Sequence, residues 1–141
     1  MSLAEIAVPR MPYLKVPEAL PTVLIVEDER KLRWSLIEQF RAMGIHALTA
    51  SRGFEAIRVA GESRPDLILL DGLLPEMHGF EIACAVRALD RNYHPRIVII
   101  TAIYKSTQYQ NDARLRYGIN DYLIKPVKKE ALREIVRQMR K

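Results

Sequence analysis

Residues 66–79, DLILLDGLLPEMHG, decide how the chain is read. An apolar run this short, holding β-capable Ile68 and preceded by Pro65, predicts a buried strand with Asp71 at its carboxyl end. Open α/β sheets bind ligands at the carboxyl ends of their strands, so a carboxylate placed there has a partner or a task. Gly72, Pro75 and Gly79 then break the periodicity, and the chain is expected to leave the sheet in a loop and restart as a helix near Gly79 or Phe80. Taken alone, the stretch fits a solvent-facing aspartate at a strand end equally well.

Three more stretches repeat the pattern. Residues 22–26 (TVLIV) run into Glu27-Asp28-Glu29, residues 96–100 (RIVII) end on Thr101, and residues 121–124 (DYLI) end on Lys125-Pro126. Acid pair, acid, hydroxyl and amine at four strand ends describe one site assembled along one edge of a parallel sheet. With LLDGLLPEMHGFE and DYLIKP in that order, the chain from residue 22 to 141 resembles the receiver domain of two-component response regulators.

Between the strands the periodicity turns helical. Leu32, Leu36, Phe40 and Met43 recur through residues 29–43, with Gly44 where a C′ glycine belongs. Residues 46–49 alternate weakly as another strand, residues 52–61 predict a second helix, and residues 80–89 a third, with Phe80, Ala83 and Val86 on one side. Residues 106–117 predict a fourth helix ended by Gly118, and Leu132, Ile135, Val136 and Met139 mark a closing amphipathic one. Five strands alternating with five helices imply an α/β fold, a doubly wound five-stranded parallel sheet with right-handed crossovers. The strand order 2-1-3-4-5 of the flavodoxin-like receiver fold is what the resemblance supplies.

Composition sets the bounds. The 141 residues give room for one domain, and 49% hydrophobic content supports a real core. The single cysteine, Cys84, excludes an internal disulfide and a cysteine-based zinc site, fits a reducing cytoplasm, and is expected as a small buried hydrophobe. Neither a membrane span nor a secretory signal is legible. The formal charge of +5 sits entirely in residues 125–141, with seven basic and two acidic side chains. The cations suit a solvated face and a helix C-terminus; without aromatic interleaving or a second helix they argue against direct nucleic-acid binding. Residues 1–21 carry Pro9, Pro12, Pro17 and Pro21 and are expected as an extended arm or linker ahead of a domain at 22–141.

The side chains also speak for themselves. Glu27, Asp28 and Asp71 would bring three carboxylates together, which cannot all stay ionised without a cation. Lys125 supplies one positive charge and a divalent metal the rest; hard oxygen ligands select Mg²⁺ or Mn²⁺ over zinc. Such a site beside a lysine and a threonine hydroxyl suits a phosphoryl group.

The resemblance implies the roles. Asp71 matches the phosphoacceptor, a carboxylate nucleophile toward a phosphohistidine on a sensor histidine kinase or phosphotransfer protein. Glu27 and Asp28 match the metal-holding pair, with the Leu73 backbone carbonyl as a further ligand. Thr101 and Lys125 match the residues that contact phosphoryl oxygens, and Tyr122 the aromatic switch that turns inward with Thr101. The effector or partner face would combine the fourth helix, the fifth strand and the last helix, and a homodimer is compatible with it. Glu27 departs from the more usual aspartate. Leu73 and Ile103, two residues past site residues, are apolar where polar side chains help position a hydrolytic water, which implies slow loss of the phosphoryl group. The alternative function is a Mg²⁺-dependent aspartyl-phosphate phosphatase or phosphotransferase, but such enzymes carry a second carboxylate where this chain has Leu73. Trp34 is expected to pack, and His46, His78 and His94 show no metal-ligand spacing.

Overall fold

The computed structural model describes residues 20–102 and 117–139. Their strands are β1 (Thr22–Val26), β2 (His46–Ala50), β3 (Leu67–Asp71), β4 (Arg96–Thr101) and β5 (Asp121–Ile124). The helices are α1 (Arg30–Ala42), α2 (Gly53–Ser63), α3 (Gly79–Arg87) and α4, the closing helix (Lys129–Met139). All strand pairs are parallel and the order is β2-β1-β3-β4-β5, as the resemblance implied. All but the last residue of the helix expected at 106–117, Ile103, and residues 1–19 of the expected arm lie outside the described residues.

Alternation along the strands sorts the core into two layers. Leu24, Val26, Ile68, Leu70, Ile97 and Ile99 face Ala56 and Ala60 of α2 and Ile82, Ala83 and Val86 of α3. Val23, Ile25, Leu67, Leu69, Val98 and Ile100 face Leu36, Ile37 and Phe40 of α1 and Leu132, Ile135 and Val136 of α4. Because both faces are covered, β3 is buried at all five positions and reads as a continuous apolar run.

Helix α1 stops where the glycine predicts. Gly44 has φ 78°, its N–H reaches the Arg41 carbonyl, and the Ile45 N–H reaches that of Phe40, the paired bonds of a Schellman end. At the opposite edge of the sheet from the site, Arg87 ties α3 to the feet of β4 and β5. Its guanidinium donates to the Pro95 carbonyl at 2.8 Å, the Gly118 carbonyl at 2.6 Å and Asn120 Oδ1 at 3.2 Å.

Two packing expectations are corrected. Trp34 is 60% exposed, and Cys84 is exposed rather than buried. Both lie off the stripes that reach the core: Leu36, Ile37 and Phe40 on α1, and Ile82, Ala83 and Val86 on α3. Among the described residues no helix is long and apolar enough to cross a membrane.

Candidate functional site

Register puts the four strand ends side by side. Val26 pairs with Leu70, so Glu27, one residue on, stands beside Asp71. Asp71 pairs with Ile100, and Thr101 with Ile124, so Thr101 and Lys125 follow along the same edge. The chain goes from β1 to β2 on one side and onward through β3 on the other, which makes the β1/β3 boundary the topological switch point where such sheets bind ligands.

The side chains converge there. Lys125 Nζ lies 3.1 Å from Glu27 Oε1 and 3.4 Å from Asp71 Oδ2. The Leu73 N–H donates to Asp71 Oδ1 at 3.0 Å, so each oxygen of this carboxylate has a fixed neighbour. Glu27, Asp28 and Asp71 each offer a carboxylate oxygen, and the three lie within 4.8 Å of one another. Glu27, Asp71 and Thr101 are buried polar groups, whereas Asp28 is exposed.

Electrostatics follow from this crowding. The Glu27 pKa is raised to about 7, most by burial and then by a hydrogen bond with Asp71 and the charge of Asp71, against the opposing pull of Lys125. For Lys125 burial works against the charged form. Its hydrogen bond to Glu27 and the charges of Asp71 and Glu27 outweigh that cost, so the pKa stands above its ordinary 10.5. Three carboxyl groups beside one ammonium make a pocket lined by oxygen donors, and these residues fit a hard divalent cation such as Mg²⁺.

Glycines shape the loop beneath. A Cβ on Gly79 would sit 3.1 Å from the carbonyl oxygen of Asp71 and 3.1 Å from Cα of Gly72. Any side chain there would push this backbone apart by a few tenths of an ångström, so glycine lets α3 begin this close to Asp71. The Gly79 N–H returns to the Gly72 carbonyl at 3.3 Å, closing the loop, while Leu73 points out and is 51% exposed.

Several contributors were not legible as such. Arg33 Nη1 donates to the carbonyls of Glu27 at 2.9 Å and Asp28 at 3.3 Å, so the first turns of α1 hold the acidic pair in place. The available signal was an arginine five and six residues past the pair, a spacing too common to single it out. His78 caps α3, its Nδ1 accepting from the Phe80 N–H at 3.2 Å. Half-buried Tyr122 on edge strand β5 meets the Phe80 ring edge-on at 6.4 Å, and Tyr117 stacks on the same ring at 4.9 Å.

A five-stranded parallel α/β domain with an acidic, lysine-braced pocket at its switch point defines the class of the protein. A family model, response regulator receiver domain, matches residues 23–137, and the chain belongs to that family. It is 37% identical over 106 residues to the transcriptional regulatory protein PrrA of Mycobacterium tuberculosis, covering 75% of this chain and 44% of that one. The chain thus spans less than half the length of that relative. Sporulation initiation phosphotransferase F of Bacillus subtilis is 32% identical over 116 residues, 82% of this chain and 90% of its own. Among solved structures, chemotaxis protein CheY4 of Vibrio cholerae superposes with a TM-score of 0.77 at 27% identity, over 86% of this chain and 99% of that one. The receiver domain of the sensor histidine kinase PA1611 from Pseudomonas aeruginosa, solved with magnesium coordinated in its active site cleft, gives 0.73 at 30% identity, over 86% and 98%.

Proposed function

We propose that this receiver domain is a phosphorylation-controlled switch whose Asp71 takes a phosphoryl group from a phosphohistidine of a sensor histidine kinase or phosphotransfer protein. The observation that carries the reading is the convergence of Lys125 on Glu27 and Asp71 beside Asp28 at the switch point. Glu27, Asp28, Asp71 and the backbone carbonyl of Leu73 would hold Mg²⁺, or Mn²⁺, as the magnesium-bound relative from Pseudomonas suggests. Bound Mg²⁺ would supply divalent charge against the carboxylates and the phosphoryl oxygens.

The chain's own groups account for the rest. A carboxylate oxygen of Asp71 bonds to phosphorus while the phosphorus–nitrogen bond of the donor breaks, its electron pair staying on the imidazole. The Leu73 N–H holds Oδ1 and orients the carboxylate for attack. The Lys125 ammonium, already within reach of Asp71, neutralises charge on the transferred group, and the Thr101 hydroxyl is a second contact for its oxygens. A new occupant beside Thr101 favours one of two arrangements of Tyr122, and the face formed by residues 106–117, β5 and α4 changes its affinity for an effector or partner, or for a second copy. The domain spans 22–141, with 1–21 as an arm, and promotes only its own phosphorylation and dephosphorylation. This is a role for the cytoplasm, where a kinase would supply the phosphoryl group.

The test is incubation with Mg²⁺ and acetyl phosphate followed by intact mass. One added phosphoryl group that requires Mg²⁺ and is missing from Asp71→Ala supports the reading; its persistence in that variant, or no uptake by the wild type, refutes it.

A further inference from the structure

Three consecutive carbonyls of the acidic turn accept hydrogen bonds from a single residue of α1. The Arg33 backbone N–H donates to the Glu29 carbonyl at 3.0 Å. Its Nη1 donates to the carbonyls of Glu27 at 2.9 Å and Asp28 at 3.3 Å. The turn between β1 and α1 is thereby closed from the helix side. The N-cap offers no substitute, since Glu29 is extended and makes no side-chain capping bond.

The two acidic residues depend on this grip to different degrees. Glu27 is buried, its N–H donates to the Ala50 carbonyl of β2 at 3.1 Å, and its side chain meets Lys125. Asp28 is exposed, and among the described residues no hydrogen bond or ion pair holds its carboxylate. A side chain without a holder of its own takes its place from the backbone beneath it. For Asp28, whose carboxylate lies within 4.8 Å of those of Glu27 and Asp71, that backbone is held by Arg33.

Charge alone would give Arg33 the opposite part. A guanidinium beside a cation site repels the incoming ion, so on Coulomb grounds its removal tightens metal binding. Arg33 is only half-buried, which screens that repulsion. Groups that orient metal ligands from outside the coordination shell change affinity by about 10- to 100-fold, so the positional effect is the larger.

We propose that Arg33 is a positioning residue for the divalent cation, holding the Glu27-Asp28 backbone so that the Asp28 carboxylate stays beside Glu27 and Asp71. This role rests on the Mg²⁺ site of the function proposed above.

Metal-free full-length protein is titrated with Mn²⁺, the free ion being followed by electron paramagnetic resonance, and Mg²⁺ is then added in competition. Arg33→Met keeps the stem and removes the donors and the charge. Arg33→Lys keeps the charge on a shorter stem and loses the hold on both carbonyls. Circular dichroism checks that the fold is kept. Positioning predicts dissociation constants for both ions about 10- to 100-fold higher in Arg33→Met and several-fold higher in Arg33→Lys. The Mg²⁺ concentration for half-maximal phosphoryl uptake from acetyl phosphate should rise by the same factor, while the rate at saturating Mg²⁺ falls much less. Unchanged or tighter metal binding in Arg33→Met overturns the proposal. Wild-type affinity in Arg33→Lys also overturns it, and decides the matter if the methionine variant does not fold. A wild type that binds neither ion refutes the Mg²⁺ site itself and this role with it.

Discussion

Strands β3 and β5 bring opposite charges to one point from unlike surroundings. β3 is central and buried at all five residues, while β5 is an edge strand, half-buried, with Ile124 at its end exposed. Asp71 is therefore held by a strand that cannot shift without disturbing both core layers. Lys125 and Tyr122 ride on one paired only with β4 among the described residues. The difference teaches a division of labour in which the proposed acceptor, Asp71, is fixed and its cationic and aromatic neighbours sit where movement costs less.

The largest expected effect separates the two charges. Asp71→Ala should abolish phosphoryl uptake, whereas Lys125→Ala should slow uptake about 10²- to 10³-fold yet leave Asp71 modifiable. Time courses by intact mass check both, and equal loss in the two variants would break the comparison. Next comes stability. Ile68→Ala in β3 should cost about 2–5 kcal/mol, and Leu123→Ala in β5 about 1 kcal/mol, by urea unfolding. Equal costs would mean that the edge strand is as constrained as the centre.

The pH dependence sharpens the same contrast. The Glu27 pKa is raised from 4.5 to about 7, so the folded state binds its proton more tightly than the unfolded chain. That stabilisation is complete below about pH 4.5 and is lost as pH rises through 7, by up to about 3 kcal/mol. Lys125, raised above 10.5, contributes a constant amount across this window and loses it only at higher pH. Unfolding in EDTA from pH 5 to 8 should show the decline in the wild type and a flatter profile in Glu27→Gln. The smallest effect concerns Leu73, whose exposed side chain offers no hydrogen bond to a hydrolytic water. The acyl phosphate should decay several-fold faster in Leu73→Asn than in the wild type, and an unchanged rate would remove Leu73 from the account.

Four of the five strands were legible because each is a short apolar run closed by a residue that cannot be buried without a partner; β2, HALTA, showed only weak alternation. The ends at Glu27, Asp71, Thr101 and Lys125 were readable together for that reason. Helix ends shifted by one or two residues, as where α3 begins at Gly79 and ends at Arg87. Trp34 was misread because aromatic character was taken for burial; it lies two residues from both Leu32 and Leu36, about 200° around the helix from each. Cys84 failed likewise, next to buried Ala83 but on the outer side. The role of Arg33 and the approach of Gly79 to the Asp71 carbonyl depend on tertiary distances that no local pattern encodes.

The central claim is that Asp71, and no neighbouring carboxylate, is the acceptor. Treating the Mg²⁺- and acetyl-phosphate-loaded protein with borohydride reduces an aspartyl phosphate to homoserine, and fragment mass spectrometry then locates the altered residue. The account predicts a single conversion at Asp71. A conversion at Glu27 or Asp28 with Asp71 unchanged would contradict it.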